Sequence, residues 1–436
     1  MSHESPLDLL GVGIGPFNLS LAALADGVED LDVRCVDERS SFGWHPGMLL
    51  EGTTLQVPFL ADLVTLVDPT SRWSFLAYLR ERRRLFPFYF AERFLVPRAE
   101  FDDYCRWAAE GLDACRFGHR VEAIRWDEAA GAFAASLIGP DGVGEVLARN
   151  VVLGIGTAPT LPAPLRALHD DDGPVLHSAQ YLHRRDALRA LDDVTVVGSG
   201  QSGAEVFLDL LRAQRPGQVR RWCTRSRAIA PMEYSKLGLE QFTPDYTRYF
   251  HGLQEPVRDR VLPQQSQLYK AISADTIAEI QQVLYERTIG GGWPDGVSIT
   301  PNVSVASAAG IADGGVTLEL REPDQGQAAT LRTDAVVAAT GYAPREPRCL
   351  RPLEDALQRD ARGRLAIDAE HRLVTRPGLG GIFVQNAELH THGVGAPDLG
   401  LGAWRSATIL NAVAGREVHP LPERTAFTTF GLEHAA

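Results

Sequence analysis

Two groups of closely spaced glycines are the residues whose type and spacing most clearly indicate chemistry. Each group lies between an apolar run typical of a buried strand and an apolar pattern with helical spacing. Glycine lacks a Cβ atom, so the chain turns tightly there and presents the N-terminus of the next helix to a pyrophosphate. For the first group alone an ordinary strand-to-helix turn is the alternative, but a second copy in a similar context predicts two nucleotide sites. The groups are Gly11, Gly13 and Gly15 followed by Pro16, and Gly198, Gly200 and Gly203.

The residues after the next strand of each unit differ in charge. In the first unit they are Asp37 and Glu38, which are placed to accept hydrogen bonds from an adenosine ribose, with a solvated turn as the alternative. In the second unit the strand Val219 to Cys223 is followed by Arg225 and Arg227. Arginine pairs with a 2′-phosphate, which a carboxylate would repel. The second site is therefore predicted to bind NADPH rather than NADH.

The composition is that of an acidic globular protein. The chain has 436 residues, of which 44% are hydrophobic and 23% charged, and its formal net charge is −13. This length suits two or three domains. The negative charge argues against nucleic acid as a partner and is compatible with a cationic small substrate.

The cysteines and histidines argue against several other classes of protein. The five cysteines include no C-x-x-C pair, which argues against a disulfide framework, a zinc ribbon or a dithiol redox centre and predicts a cytoplasmic location. His390 and His392 lie two residues apart on a predicted loop, but no third ligand has suitable spacing, so no metal is expected. We expect no signal peptide, because the sequence up to Asp8 has neither a basic region nor an apolar core. We expect no membrane span, because no apolar run approaches about 18 residues.

The remaining patterns indicate the elements that position these loops. Helices are predicted at Ser74 to Leu85 and Phe101 to Ala109, and a helical, aromatic insert at Pro231 to Tyr285. The segment from Phe42 to Asp68 has no clean period, and its polar and aromatic side chains suit either a wall for a flat ring system or core packing. These elements predict an α/β fold with two Rossmann-like dinucleotide-binding domains and a smaller helical insert.

Six motifs together resemble the microbial N-hydroxylating flavin monooxygenases of siderophore biosynthesis, which act on lysine, ornithine or diamines. The motifs cover essentially the whole chain, and Pro16 is what this family shows in its first glycine loop. They are GVGIGPFNLSLAA, WHPGM, LQVPFLADLVTLVDPTS, VVGSGQSGAEVF, AATGY and HTHGVGAPDLGLGAWRSATILN.

The resemblance implies a reaction and a set of cofactor contacts. NADPH at the second loop would reduce FAD at the first, reduced FAD would trap O2 as a C4a-hydroperoxide, and a neutral primary amine would attack it to give a hydroxylamine. No side chain is a certain catalyst, although Gln56 is a candidate. The residues implied to contact FAD are Gly11, Gly13, Gly15, Pro16, Asp37 or Glu38, Trp44, His45, Met48, Gln56, Asp398, Leu399 and Gly400. Those implied to contact NADPH are Gly198, Gly200, Ser202, Gly203, Arg225 and Arg227.

The patterns along the chain predict a domain division, and the resemblance implies self-association. The FAD-binding domain comprises 1–185 and a return segment at 336–436, the NADPH-binding domain 186–230 and 286–335, and the substrate-binding insert 231–285. A homo-oligomer, a tetramer or a dimer, is implied.

Two positions bear on the identity of the amine. Amino-acid hydroxylases of the family carry a lysine at the position of Ala61, where it meets the substrate carboxylate, and tend to carry an asparagine at the position aligned with Leu239. Removing the partner of a desolvated carboxylate costs several kcal/mol, so a diamine such as cadaverine or putrescine is favoured, with lysine or ornithine as the alternative. The candidate partners for its distal ammonium are Glu233, Glu240 and Asp275, with Tyr234 and Tyr269 for cation–π contact.

Three other functions share parts of this pattern. A flavin disulfide reductase needs a redox-active cysteine pair of suitable spacing, which this chain lacks. A nucleotide-sensing binding protein would keep both loops without turnover. A Baeyer–Villiger or sulfur-oxidising relative would oxidise a ketone or a sulfide instead of an amine.

Overall fold

Two β-sheets, each carrying one glycine loop, organise the chain in a computed structural model that describes residues 5–170, 172–312 and 314–432. The strands are β1 (Leu7–Val12), β2 (Val33–Asp37), β3 (Thr54–Pro58), β4 (Leu95–Pro97), β5 (Cys115–Phe117), β6 (Arg120–Asp127), β7 (Ala132–Gly139), β8 (Gly142–Leu153), β9 (Thr157–Pro159), β10 (Val175–His177), β11 (Asp193–Val197), β12 (Val219–Cys223), β13 (Val297–Thr300), β14 (Ser304–Gly310), β15 (Val316–Glu322), β16 (Gln327–Thr333), β17 (Ala335–Ala338), β18 (Tyr342–Pro344) and β19 (Ile382–Val384). The α-helices are α1 (Pro16–Ala25), α2 (Phe75–Glu81), α3 (Leu85–Ala91), α4 (Arg98–Gly111), α5 (Ala163–Arg166), α6 (Tyr181–Ala190), α7 (Gln201–Arg212), α8 (Pro244–Gly252), α9 (Glu255–Val261), α10 (Ser266–Tyr269), α11 (Ala274–Glu286), α12 (Leu389–His392) and α13 (Gly402–Ala414).

The first sheet joins strands from both ends of the chain. Its order is β5-β2-β1-β8-β7-β6, and β19 pairs with the end of β8. Strands β5, β2, β1, β8 and β19 run parallel, whereas β6, β7 and β8 form an antiparallel meander. Strand β1 has the sequence LDLLGV and is almost entirely buried, as expected for a parallel strand covered on both faces. Helix α1 begins at Pro16, where the missing N–H has no intrahelical partner to lose.

The second sheet is wholly parallel, in the order β10-β17-β11-β12-β13. Its central strands are short apolar runs, DVTVV in β11 and AVVA in β17. Helix α7 follows β11 directly and buries its apolar face against this sheet. The predicted α/β fold with two Rossmann-like units is confirmed.

The sheets divide the chain differently from the prediction at two points. Strand β10 was assigned to the first domain and most of β17 to the return segment, but both pair within the second sheet. Strands β9 and β18, which follow the first sheet and the second sheet respectively, pair antiparallel with each other. The predicted boundaries at 185/186 and 335/336 therefore do not match the sheets, because sheet membership depends on pairing between strands far apart in sequence.

Local elements also differ from the sequence patterns. The helix predicted from Ser74 to Leu85 corresponds to α2, which ends at Glu81, and Arg83 beyond it adopts a left-handed conformation with φ of 58°. Helix α3, which begins at Leu85, was not predicted. Strand β16 was not predicted, since its sequence QAATLRT has little apolar character and it is held by pairing with β15. His390 and His392 lie in the short helix α12, not on a loop.

The helical insert sits on the segment that follows α12. Tyr246 and Phe250 of α8 form a small core with Leu268 and Val394. A Cβ at Gly393 would lie 3.0 Å from the Phe250 ring, so the two segments touch closely. The insert is thereby placed against the return segment of the chain.

All five cysteines are buried and unbonded. Within residues 5–170, 172–312 and 314–432, no three His, Cys, Asp or Glu side chains are grouped so as to hold a metal ion. None of the helices in those ranges combines the length and the apolar character needed to cross a membrane.

Candidate functional site

The first glycine loop leaves space where a cofactor can approach the backbone. Gly13 has φ of 90°, and a Cβ there would lie 2.6 Å from the carbonyl oxygen of Gly154 at the end of β8. A Cβ at Gly15 would meet no described atom within 4 Å, so this residue faces open space at the start of α1. Asn18 holds the loop, because its amide donates to the carbonyl oxygens of Val12 and Gly13 at 3.2 and 2.9 Å. The loop is therefore preorganised with its open side at the N-terminus of α1.

The Asp37 carboxylate is hydrogen-bonded to other residues of the protein. Its carboxylate accepts the Ile14 N–H at 2.7 Å and three N–H groups of Arg39 at 2.8–2.9 Å. Burial opposes ionisation, but these hydrogen bonds outweigh it and lower the pKa of Asp37. Four bonds fill the acceptor sites of a carboxylate, so Asp37 clamps the glycine loop, and Glu38 is the exposed acid of the pair. The role of either acid toward a ribose remains a prediction.

The second glycine loop shows the same steric need. Gly198 has φ of 147°, and a Cβ there would lie 2.1 Å from the Ala339 carbonyl oxygen. A Cβ at Gly203 would lie 2.8 Å from the Gly198 carbonyl oxygen, so helix α7 packs directly on the loop. Ser202 is partly exposed in the first turn of α7, and Gly200 is its N-cap. This loop also opens at a helix N-terminus.

The two arginines beyond β12 are both on the surface. Arg225 is exposed. Arg227 is also exposed and makes a bidentate ion pair with Asp324 at 2.8 and 2.9 Å. Contact of either residue with a 2′-phosphate remains a prediction, and Arg227 would have to leave Asp324 to make it.

A row of rings joins the two units. Trp44 contacts His45 with 5.1 Å between ring centroids, His45 contacts Tyr342 at 5.6 Å, and Tyr342 contacts His177 at 5.1 Å. The pKa of His45 is lowered to about 4, because the surrounding protein disfavours the charged ring and Arg98 lies nearby. Burial lowers the pKa of His177 to about 4 as well. Both rings are therefore neutral at pH 7.

Arg98 ties the first unit to the second. It begins α4, and its guanidinium donates to both carboxylate oxygens of Glu205 in α7 at 2.7 and 2.8 Å. Gln201, also in α7, donates to Glu205 at 2.8 Å. The site residues Arg98, Glu205, His177 and Tyr342 were not assigned roles from the sequence. AATGY was recognised as a motif, which was the available signal for Tyr342, but nothing local marks Arg98 and Glu205 as a pair.

Gln56 carries an orphaned polar group on β3. Its Nε2 is buried and has no hydrogen-bond partner in the described chain. The hydroxyl of Tyr234, from the insert, donates to the Gln56 carbonyl oxygen at 3.3 Å. Gln56 and Tyr234 therefore lie together, as their assignment to neighbouring cofactor and substrate positions requires.

The turn from Asp398 to Gly400 faces Ala61. A Cβ at Gly400 would lie 3.8 Å from the Ala61 methyl group, and Ala61 is only 6% exposed. Asp398 accepts the Gly400 N–H at 2.7 Å, and burial raises the pKa of its carboxyl to about 6. Asp62 holds the Ala61 segment by accepting N–H groups from Val64 and Phe75 at 2.9 and 2.7 Å. Leu399 is partly buried against the hydrophobic core that contains the apolar side chains of α1 and α4.

A buried ion pair between Arg405 and Glu388 supports the Asp398–Gly400 turn. Arg405 of α13 bonds the Glu388 carboxylate and donates to the Ala396 carbonyl oxygen at 2.7 Å. Its guanidinium carbon also lies 4.5 Å from the ring centre of Phe17 in α1. Arg405 therefore links the turn to the helix that follows the first glycine loop.

Other predicted site residues have structural roles. Met48 is 3% exposed, and its side chain packs in the core of the second unit, while its contact with FAD stays a prediction. The Glu240 carboxylate accepts the N–H groups of Phe427 and Thr428, so it holds the C-terminal segment and is a poor partner for an ammonium. The Tyr269 ring already has Lys270 Nζ 5.1 Å from its centre. Glu233 accepts the N–H of Ser235 two residues along the chain, while Leu239 is 37% exposed in a 3-10 helix.

The two glycine loops fit the two nucleotides. Each has a glycine at positive φ that no residue with a Cβ could replace without a backbone clash, and each opens at a helix N-terminus. The unpaired Gln56 amide on β3 supplies a buried polar group for a ligand. The ring row and the Arg98–Glu205 pair both join residues of the first unit to residues of the second.

Comparison with known proteins agrees with this geometry. A family model described as L-lysine 6-monooxygenase/L-ornithine 5-monooxygenase matches residues 5–344. The rhizobactin siderophore biosynthesis protein RhbE of Rhizobium meliloti is 45% identical, covering 98% of this chain and 95% of that protein. The putrescine N-hydroxylase of Shewanella oneidensis is 40% identical, covering 97% of this chain and 84% of that protein.

Solved structures give the same result. The FAD-bound cadaverine monooxygenase DfoA of Erwinia amylovora is 37% identical with a TM-score of 0.94, covering 98% of this chain and 99% of that one. The ornithine N-hydroxylase KtzI of Kutzneria, with reduced FAD, NADP+ and L-ornithine, is 30% identical with a TM-score of 0.86, covering 94% and 99%. The cofactors of the present chain are accordingly FAD and NADPH. With matches over nearly its whole length, this chain belongs to the L-lysine 6-monooxygenase/L-ornithine 5-monooxygenase family of flavin-dependent N-hydroxylating enzymes of siderophore biosynthesis.

Proposed function

We propose that this enzyme hydroxylates the terminal primary amine of an aliphatic diamine, cadaverine or putrescine, to supply a hydroxamate siderophore. The observation that carries the proposal is Ala61, a buried methyl group against the Asp398–Gly400 turn. It stands where a lysine would pair the carboxylate of an amino-acid substrate. Burying that carboxylate unpaired would cost several kcal/mol, whereas a diamine has no such group.

The names of the relatives support a diamine without excluding an amino acid. One relative is a putrescine N-hydroxylase and one structural neighbour a cadaverine monooxygenase. The family also includes lysine and ornithine hydroxylases, so N6-hydroxylation of L-lysine or N5-hydroxylation of L-ornithine is the alternative.

The reaction converts an amine, O2, NADPH and a proton into a hydroxylamine, water and NADP+. One oxygen atom is added to nitrogen and the other leaves as water. FAD supplies the redox and oxygen chemistry, which side chains lack. The glycine loops orient the two nucleotides, and the apolar surface at Ala61 and Leu399 excludes water and favours the neutral, nucleophilic amine.

We assign the distal ammonium of the diamine to Asp275. Burial, and to a lesser extent the charge of Asp275, raises the pKa of Tyr234, whose hydroxyl donates to the Gln56 carbonyl oxygen at 3.3 Å. Asp275 is exposed in the first turn of α11, whereas Glu233 and Glu240 already accept backbone N–H groups. Asp275 is thus the best-placed carboxylate of the three candidates.

Product analysis with four amines tests the proposed activity. The purified enzyme is incubated with FAD, NADPH and cadaverine, putrescine, lysine or ornithine, and hydroxylamine is quantified against NADPH consumed. We expect cadaverine or putrescine to exceed both amino acids in kcat/KM by at least about tenfold, the effect of about 1.4 kcal/mol. A higher kcat/KM with lysine or ornithine would reject the diamine assignment, and no hydroxylamine from any of the four would reject amine hydroxylation for these substrates.

Ala61→Lys tests the head-group argument directly. The new ammonium pairs a carboxylate but repels a diamine, so the ratio of kcat/KM for lysine over cadaverine should rise at least about tenfold. Ala61→Met adds a side chain of comparable length without the charge and controls for lost space. A ratio that changes equally in both variants would remove charge from the explanation.

Asp275→Asn tests the ammonium site. We expect KM for the diamine to rise roughly tenfold or more while the rate of NADPH oxidation without amine stays unchanged, since a charge-assisted bond is worth about 1.5–3 kcal/mol. Glu233→Gln is the matched control, because that carboxylate caps its own turn. An unchanged KM in Asp275→Asn would reassign the ammonium.

Three further points extend this proposal. We propose a cytoplasmic enzyme, which the five free cysteines and the use of NADPH support. We also propose that it assembles with itself. The domain division suggested by the sheets places 175–338, apart from the insert, with the NADPH-binding unit.

A further inference from the structure

Helix α3 is an apolar helix that its own chain does not bury. Its sequence is LFPFYFA, and none of its seven residues is buried. From residue 81 to residue 94 every residue is exposed except Phe88, which contacts Phe59 and Phe75. A helix with apolar residues on all sides normally lies inside a protein, so this exposure indicates a surface that is covered in the working assembly.

The exposed area is that of an interface rather than of scattered side chains. Phe86, Tyr89, Phe90 and Phe94 are 77%, 71%, 75% and 57% exposed. With roughly 200 Å² for a whole aromatic side chain, these four expose roughly 550 Å², near the upper end for the largest patch of a monomer. Two such faces together supply roughly 1,100 Å², close to the lower limit of about 1,200 Å² for a specific interface, before leucines are added.

The face carries both a projection and a recess. A groove of about 670 Å³ runs beside α3, and apart from Glu92 and Arg93 at its edge its lining is apolar. Phe90 is not part of that lining and stands exposed next to it. A face with both shapes can pair with itself about a two-fold axis, since Phe90 of each copy can enter the groove of the other.

The charges around this face are complementary at one point. Arg84 is already paired with Glu100 at 2.6 Å and Arg82 lies 3.8 Å from Asp103, whereas Arg83 before α3 and Glu92 after it are both exposed. An antiparallel pair of α3 helices places Arg83 of one copy beside Glu92 of the other. An anionic membrane suits the face less well, because the chain as a whole carries a net charge of −13.

We infer that the α3 face, defined by Leu76, Leu85, Phe86, Tyr89, Phe90 and Phe94, is where a second copy of this chain docks about a two-fold axis. The inference names the contact by which the enzyme associates and does not depend on which amine it hydroxylates.

Molar mass in solution tests this inference. The FAD-loaded enzyme is measured by light scattering and analytical ultracentrifugation at micromolar concentration, beside the double variant Phe86→Ser/Phe90→Ser. We expect an even number of copies in the parent enzyme, and a dimer dissociation constant raised at least a hundredfold in the variant, which halves the mass. Far-UV circular dichroism and flavin content check that the variant is folded, as expected for two exposed positions.

Trp293→Ser/Phe427→Ser is the matched control, because these residues are 91% and 87% exposed elsewhere on the chain. The inference is overturned if the parent enzyme is a monomer at these concentrations, if the α3 variant keeps the parent mass, or if the control dissociates equally. Sedimentation with phosphatidylserine-containing vesicles tests whether the α3 face binds a membrane instead of a second copy. A monomer that pellets with vesicles through Phe86 and Phe90 would make this a membrane-binding face and overturn the dimer contact.

Discussion

Asp398→Asn should make the stability of this enzyme less dependent on pH. Asp398 accepts the Gly400 N–H at 2.7 Å in the turn beside Ala61, and burial raises the pKa of its carboxyl from 3.8 to about 6. The folded protein therefore binds this proton more tightly than the unfolded chain does. The contribution to stability is fully present below about pH 4 and is lost as the pH rises through about 6.

The expected magnitude follows from the two pKa values. A difference of about two units corresponds to at most about 3 kcal/mol of destabilisation above pH 6. The asparagine oxygen still accepts the Gly400 N–H but carries no charge, so the variant avoids this cost. The gain in free energy of unfolding over the parent should grow by about 1.4 kcal/mol between about pH 5 and about pH 8.

Urea unfolding followed by circular dichroism measures this gain across the pH range, with and without saturating FAD. Asp68→Asn is the control, because Asp68 makes the same bond to the N–H two residues ahead, at 3.0 Å, in an exposed turn. A gain in Asp398→Asn that stays constant from pH 5 to 8 would refute the reasoning, since the carboxyl would then not titrate as its burial requires.

Three further substitutions test the nucleotide loops and the support behind the turn. Gly13→Ala should weaken FAD binding at least about tenfold in a flavin titration. A residue with a Cβ loses about 1–2 kcal/mol at φ of 90°, and the new methyl group also meets backbone atoms. Gly27→Ala is the control and should leave the FAD affinity unchanged, because Gly27 has φ of 88° but a Cβ there meets no described atom within 4 Å. Arg225→Ser should raise KM for NADPH roughly tenfold or more and leave KM for NADH unchanged, and equal effects in steady-state kinetics would contradict the 2′-phosphate assignment. Arg405→Met should cost about 3–5 kcal/mol in urea unfolding by leaving the buried Glu388 carboxylate unpaired, and adding Glu388→Gln should recover most of that loss.

Several features of this protein follow from local sequence. Strand β12 has the predicted bounds, and helices α1 and α7 follow their glycines as expected, because alternating or helical spacing of apolar residues is a property of a single segment. The glycine positions were predictable for the same reason. Gly13 and Gly198 have backbone conformations and close backbone neighbours that leave no room for a Cβ.

Tertiary structure decided the features that depend on distant residues. Arg98 and Glu205 are 107 positions apart, and no local pattern marks them as a pair. Only the fold shows that Asp37 accepts hydrogen bonds from Ile14 and Arg39 and that Met48 packs in the core of the other unit.

The same contrast holds at the surface and in the site. Local sequence predicts a helix at α2 and shows that residues 85–91 are apolar, but burial is a property of the whole fold, and only the fold leaves α3 uncovered. Likewise, the sequence does not show that the turn at Gly400 lies against Ala61, because only the fold brings these two segments together. Sequence thus determined which segments form strands, turns and helices, because those preferences are local. The fold determined which side chains meet, because each such meeting joins residues that the chain separates by tens to hundreds of positions.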